Sequence, residues 1–164
     1  MICQCYHDQL ISIRRKLHQN PEEGWSEFTT TAFLVQTLRG YGYKVLLGRS
    51  IINPDACLGR SPQVVQAGLE RARKNDVSED LLKEMQELTG CVAVLDTGRP
   101  GPTFACRFDI DCVPVQESSD PNHLPNKEGF ASRNPGFMHA CGHDLHTTML
   151  LGAAKTLCHM RDQF

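Results

Sequence analysis

The sequence predicts an α/β layered domain, and three features carry that reading. Apolar residues recur at helical spacing near both ends of the chain. Two apolar runs dense in small and branched residues lie in the middle, and a polar, proline-broken stretch separates them from the last helical segment. With 164 residues, 40% of them hydrophobic and 22% charged, the chain is long enough for one domain with a real core.

Taken in order, Leu10, Ile13 and Leu17 set a first helix over residues 6–19, which Pro21 stops after Asn20. A second helix opens near Ser26 as N-cap, buries Phe28, Ala32, Val35 and Leu38, and ends at Gly40 and Gly42. "YKVLLG", Tyr43 to Gly48, reads as a short strand. Residues 49 to about 90 form a distinct block, two short helices inserted between strands. Ser61 before Pro62 combines an N-cap with a proline at the first helical position, and Val65, Leu69 and Ala72 follow at helical intervals. Ser78 opens the next helix, with Glu79 and Asp80 near its positive end and Leu81, Leu82, Met85 and Leu88 to bury. "CVAVLDT" and "TFACRFDI", joined by the turn "GRPGP", have the nearly continuous apolar content of central strands covered on both faces. From Val113 to Phe137, prolines 114, 121, 125 and 135 leave mostly loop. A closing helix runs from about His143 to Met160 and carries Leu150, Leu151, Ala154 and Leu157.

Bulk properties exclude several functions. Seventeen basic against nineteen acidic residues give a net charge of -2, which argues against nucleic acid or an acidic membrane as partner. "RARK", Arg71 to Lys74, reads as a solvated helix face. No apolar run nears the ~20 residues that span a bilayer, and the N-terminus lacks the pattern of a secretion signal. Eight scattered cysteines without a CxxC pair fit the reduced thiols of a cytoplasmic protein. Cys3 and Cys5 form a C-x-C pair, a lesser candidate for a second metal site.

Chemistry concentrates in "MHACGHDLH", Met138 to His146. Thiolate and imidazole are ligands for Zn²⁺ or a similar first-row ion, and Gly142 lets the backbone turn tightly enough for Cys141 and His143 to reach one ion. The N-terminus of the following helix favours the thiolate. Asp144 caps that helix or holds an imidazole tautomer from behind, and His146 lies three residues beyond His143 on the same helical side. Upstream, Asp109 and Asp111 sit two apart, so both leave an extended strand on one face. In open α/β sheets, sites cluster beyond the strand ends where these aspartates fall. The residues alone leave two readings open: a metal site, or structural histidines with turn-capping aspartates and a buried, inert cysteine.

"RRKLHQNPEEGWSEFTTT", "GYGYKVLLG", "RFDIDCVPVQE" and "GFASRNPGFMHACGHDLHTTMLLGAAKTL", in that order, resemble the M20 metallopeptidase family, in the amidohydrolase branch that holds hippurate and auxin-conjugate hydrolases. The resemblance implies a layered, zinc-peptidase-like α/β catalytic domain, incomplete here. Residues 1–164 would be its N-terminal part, with the helical insertion at about 49–90 and the lid or dimerisation domain absent. It implies two divalent ions, Mn²⁺ or Zn²⁺, with Cys141 and His143 as metal ligands and the Cys141 sulfur bridging. Asp111 matches the family's active-site aspartate, which orients a ligand, and Asp109 stands where other branches carry a metal-binding histidine. Arg107, His18 and Trp25 fall in family motifs and are assigned packing roles. "LGRSIINPD", "LERARKND" and "VAVLDTGRPGP" resemble the insertion that marks aminobenzoyl-glutamate hydrolases within the branch. That likeness implies a small N-acyl amino acid substrate, N-(4-aminobenzoyl)-glutamate, and a B subunit or a second copy as partner. Hydrolysis of another N-acyl amino acid such as hippurate, or a non-catalytic binding module, are the alternatives. The family's glutamate pair, which supplies the general base and another ligand, and two further ligand histidines are expected beyond Phe164. These residues alone are therefore expected to form half a metal site and to be inactive. A zinc deaminase is excluded, since H-x-E and P-C-x-x-C are absent.

Overall fold

The structure, a computed structural model, describes residues 6–163; the Cys3–Cys5 pair lies outside the described residues. Among the described residues six α-helices and two short strands follow one another as α1 (His7–Gln19), α2 (Phe28–Gly40), β1 (Lys44–Leu46), α3 (Pro62–Lys74), α4 (Glu79–Met85), β2 (Val92–Val94), α5 (Leu124–Lys127) and α6 (His143–His159). β1 and β2 pair antiparallel, with Lys44 opposite Val94, Val45 opposite Ala93 and Leu46 opposite Val92.

Helix α2 stands between two apolar clusters, which is why its buried residues are not confined to one stripe. On one side Phe28, Ala32 and Val35 pack with Val65, Leu69 and Ala72 of α3 and Leu81, Leu82 and Met85 of α4. On the other, Leu34 and Leu38 pack with Ile13 and Leu17 of α1, Tyr43, and Leu151 and Ala154 of α6. The inserted helices therefore share a core with α2, and α1 and α6 close over its opposite side. Gly68 permits this approach: a Cβ there would stand 2.8 Å from the Ser26 carbonyl oxygen and 2.9 Å from the Phe28 ring.

Local signals behave as their chemistry requires, with one exception. The Ser61 hydroxyl accepts from Val64 N–H at 3.2 Å, with Pro62 in the first turn, and Ser78 accepts from Leu81 N–H at 3.4 Å. Ser26 does not cap α2. Its hydroxyl donates to the Glu23 carbonyl, and the buried Glu22 carboxylate instead accepts from Thr29 N–H (3.3 Å) and Thr30 N–H (2.7 Å). Carboxylate suits a helix N-terminus, where the free N–H groups carry partial positive charge. Burial nonetheless pushes the Glu22 carboxyl up, against the Thr30 and Thr29 hydrogen bonds and Arg71. Beside it, Thr89 donates to Glu27 at 2.6 Å and Gly90 N–H to Thr31 at 2.9 Å, tying the start of α2 to the entry of β2; burial pushes Glu27 up to about 7.

Two expectations are corrected. "TFACRFDI" forms no strand: residues 101–107 are exposed, Phe104 to 86%. A central strand needs a pairing neighbour and cover on both faces. Here β2 pairs with β1 alone among the described residues, and Val92 and Val94 remain 45% and 41% exposed. In α6 Leu151 and Ala154 are buried in the core and Leu150 and Cys158 pack against it, whereas Leu157 is exposed. Among the described residues no helix is long and apolar enough to cross a membrane.

Gly68→Ala should lower stability by about 1–3 kcal/mol through overpacking against backbone, although helix propensity alone favours alanine by about 1 kcal/mol. Urea unfolding measures the difference; a variant as stable as the parent would show that α3 does not seat on α2 in this way.

Candidate metal centre

Helix α6 begins at a turn that only a permissive residue takes easily. Gly142 sits at φ +84°, its N–H donates to the His139 carbonyl, and its own carbonyl accepts from Leu145 and His146 N–H at 3.0 and 3.1 Å. His143 is thereby the first residue of α6, and His146 stands about one turn on, its ring stacked on His143 with centroids 5.7 Å apart. The extended segment from Phe108 to Cys112 runs alongside. It is tied there by Thr147, whose hydroxyl donates to the Asp109 carbonyl at 3.4 Å, and by Cys112 N–H, which donates to the Glu22 carbonyl at 2.8 Å.

This placement brings Asp111 and His143 together. His143 Nδ1 lies 2.9 Å from Asp111 Oδ1 and 3.1 Å from the Asp111 carbonyl oxygen, so Nδ1–H donates and Nε2 is the nitrogen left for another partner. Asp109 is oriented from the other side. Arg107 donates to Asp109 Oδ1 through Nε (3.1 Å) and Nη2 (2.9 Å), while Asp109 Oδ2 lies 3.7 Å from His146 Nδ1. Asp109, His143 and His146 each offer one ligand atom within 4.8 Å of the others. Two imidazoles and a carboxylate suit a first-row divalent ion. Cys141 is exposed and stands outside this group. The sequence places Asp109 and His146 near the site without marking them as ligands; the i, i+3 spacing of His143 and His146 is the signal it offers.

Behind the turn lies a buried charged network. Asp144, 1% exposed, accepts from Arg14 Nε at 3.0 Å and His18 Nδ1 at 2.9 Å. His18 Nε2 meets Glu117 Oε1 at 2.9 Å, and Glu117 also accepts from His123 and Ser132 N–H. Both ring nitrogens of His18 face carboxylates, so both donate and the ring is an imidazolium. The Asp144 hydrogen bond, foremost, raises the His18 pKa, against burial. Burial pushes Asp144 and Glu117 up, but His18 and Arg14 pull the first below its ordinary value, and Ser132 N–H, His18 and His123 do so for the second.

The assigned packing roles change accordingly. His18 does pack edge-on against Phe130, yet its main partners are two carboxylates. The Arg107 side chain is 89% exposed and holds Asp109. Trp25 anchors the insertion by donating from Nε1 to the Leu58 carbonyl at 2.8 Å. His139 was not singled out by the sequence: it is buried, neither ring nitrogen has a hydrogen-bond partner among the described residues, and burial pushes its pKa down to about 4, leaving it neutral.

Residues 105–164 match the model of peptidase family M20/M25/M40. Over 95% of its length the chain is 49% identical to a homolog, from Haemophilus influenzae, of a p-aminobenzoyl-glutamate hydrolase subunit, and it covers 37% of that protein. Over 94% it is 43% identical to indole-3-acetyl-aspartic acid hydrolase of Enterobacter agglomerans, covering 36% of that protein. A dinuclear metal-binding M20 peptidase of Bacillus subtilis superposes on 98% of the chain and 33% of its own, with a TM-score of 0.65 at 30% identity. The chain thus spans little more than a third of the length of the curated relatives it matches.

The network fixes a pH window. His18, raised above 6.5, stabilises fully below about pH 6.5 and loses that contribution as pH rises through its folded pKa. Asp144 and Glu117, lowered from 3.8 and 4.5, stabilise above those values and lose it as pH falls through their folded pKa values. His18→Gln should therefore cost about 3–5 kcal/mol near pH 5.5, and the gap to the parent should shrink by pH 9. Urea unfolding at both pH values measures it; an equal gap would contradict the imidazolium assignment.

Proposed function

Because the chain belongs to the M20 peptidase family, we propose that it forms part of a metal-dependent amidohydrolase that splits an aromatic acyl group from an acidic amino acid, with N-(4-aminobenzoyl)-glutamate as substrate. The observation that carries the metal reading is the His143–Asp111 pair at 2.9 Å. A carboxylate on one imidazole nitrogen fixes the tautomer and makes the other nitrogen a better ligand. The substrate class is supported by the relatives named above, one named for an aminobenzoyl-glutamate amide and one for an indole-3-acetyl-aspartate amide.

In this reading Cys141 and His143 are metal ligands and Asp111 orients His143. Two divalent ions, Mn²⁺ or Zn²⁺, when bound, supply an acidified water and polarise the amide carbonyl. The residues of this chain hold and aim that chemistry. The Gly142 turn delivers His143 at the start of α6, Asp111 keeps its Nε2 free, and the Arg14–Asp144–His18 link fixes the helix end behind it. Arg107 compensates the charge of Asp109 beside the ions. Among the described residues no glutamate joins the donor group, so the general base and remaining ligands come from elsewhere and the 164 residues alone should turn over no amide. A second polypeptide, of another kind or a second copy, is part of the proposal, supported by the relative's name and by the apolar residues left exposed on β2 and α6.

Two outcomes test the reading in a chain continued to the length of its relatives. Release of 4-aminobenzoate from its glutamate conjugate should exceed release of benzoate from hippurate; preference for hippurate would replace the substrate. Asp111→Asn should lower kcat or metal affinity by about 10–100-fold, measured by steady-state kinetics and by metal content after dialysis. Full activity in that variant would remove Asp111 from the site.

A further inference from the structure

We propose that the cleft between the ends of α1 and α3 and the first half of α2 binds a small anion carrying two or more negative charges. Its volume is about 480 Å³, within the range of small-molecule sites, and it shares no residue with the candidate metal centre. Lys16 near the end of α1, Lys74 at the end of α3 and Arg133 of the proline-rich loop line it. Among the described residues that line it, Asp76 is the one acid. The cleft is therefore locally positive in a chain whose net charge is -2.

These three cations have no carboxylate to neutralise them. On the same two helices Arg14, Arg15, Arg71 and Arg73 each pair with one. Among the described residues Lys16, Lys74 and Arg133 pair with none, and Asp76 pairs with no cation; Lys16 Nζ lies 4.4 Å from the centroid of the Phe33 ring. The helix ends do not need them either. At the end of α1 the Leu17 and Gln19 carbonyls accept from Asn20 and Arg133 N–H, and at the end of α3 the Ala72 and Arg73 carbonyls accept from Val77 and Asp76 N–H. At the start of α2 Glu22 already takes the Thr29 and Thr30 N–H groups, so side chains hold the anion. A guanidinium fork and two ammonium groups suit the oxygens of phosphate or carboxylate groups. Phe33 and Val77 add an apolar wall. Two lining residues adjoin the buried charged network: Leu17 precedes His18, and Arg133 follows Ser132, whose N–H donates to Glu117. An anion bridging Lys16 and Arg133 thus ties α1 to the proline-rich loop beside that network.

Pyrophosphate and citrate, titrated into the metal-free protein and followed by proton–nitrogen NMR and thermal unfolding, test this. At least one should shift the amide signals of Gln36, Asn75, Asp76 and Arg133 saturably, and should raise the unfolding temperature more than sodium chloride does at equal ionic strength. Tighter binding of pyrophosphate marks the ligand as a phosphate compound, and tighter binding of citrate as a polycarboxylate. Lys74→Gln and Arg133→Gln should each weaken binding about tenfold and leave the unfolding temperature of the ligand-free protein unchanged. Lys44→Gln, outside the cleft, should bind as the parent does. No saturable shift with either anion, an equal response to sodium chloride, signals that move around His143 and His146 instead, or parental affinity in both cleft variants would each overturn the inference.

Discussion

An imidazolium clasped between two buried carboxylates is the constraint on which the site depends. Charges taken out of water cost several kcal/mol each unless they are paired and hydrogen-bonded. His18 meets Asp144 and Glu117, Arg14 completes the shell of Asp144, and Ser132 N–H and His123 complete that of Glu117. The three segments that supply these groups are α1, the proline-rich loop and the first turn of α6. None can move without stranding a charge. Because Asp144 follows His143 directly, the network also fixes where the metal-facing imidazole begins, and Asp111 then sets its tautomer from the opposite side.

Much of the fold was legible because it is written in short-range signals. Ser61-Pro62 and Ser78 announce helix starts through chemistry confined to four residues, and both caps form. The apolar spacing of Ile13 and Leu17, and of Val65, Leu69 and Ala72, survives into the two cores. What escaped depends on distance along the chain. Glu22 caps α2 from seven residues before Thr29, displacing Ser26 from the role its type suggests. His18 finds Glu117 and Asp144 across 99 and 126 residues, and no periodicity encodes such a meeting. "TFACRFDI" has the composition of a central strand, but composition does not supply the neighbours that pairing requires.

The site was legible in its location and less so in its membership. Three histidines, one cysteine and the Asp109–Asp111 pair pointed to one place, and the structure brings Asp109, Asp111, His143 and His146 together there. Which donors converge is decided by the turn at Gly142. It sends His143 toward the aspartates while Cys141 stays at the surface. His139, inside the same nine residues, is buried with no hydrogen-bond partner among the described residues, so proximity in sequence does not assign a role.

The most direct test of this account is the protonation of two rings, read by long-range proton–nitrogen NMR of the metal-free chain near pH 6. His18 should carry protons on both nitrogens, and His143 should carry a proton on Nδ1, facing Asp111. A neutral His18, or a His143 protonated on Nε2 alone, would mean that neither the buried clasp nor the prepared ligand exists as described.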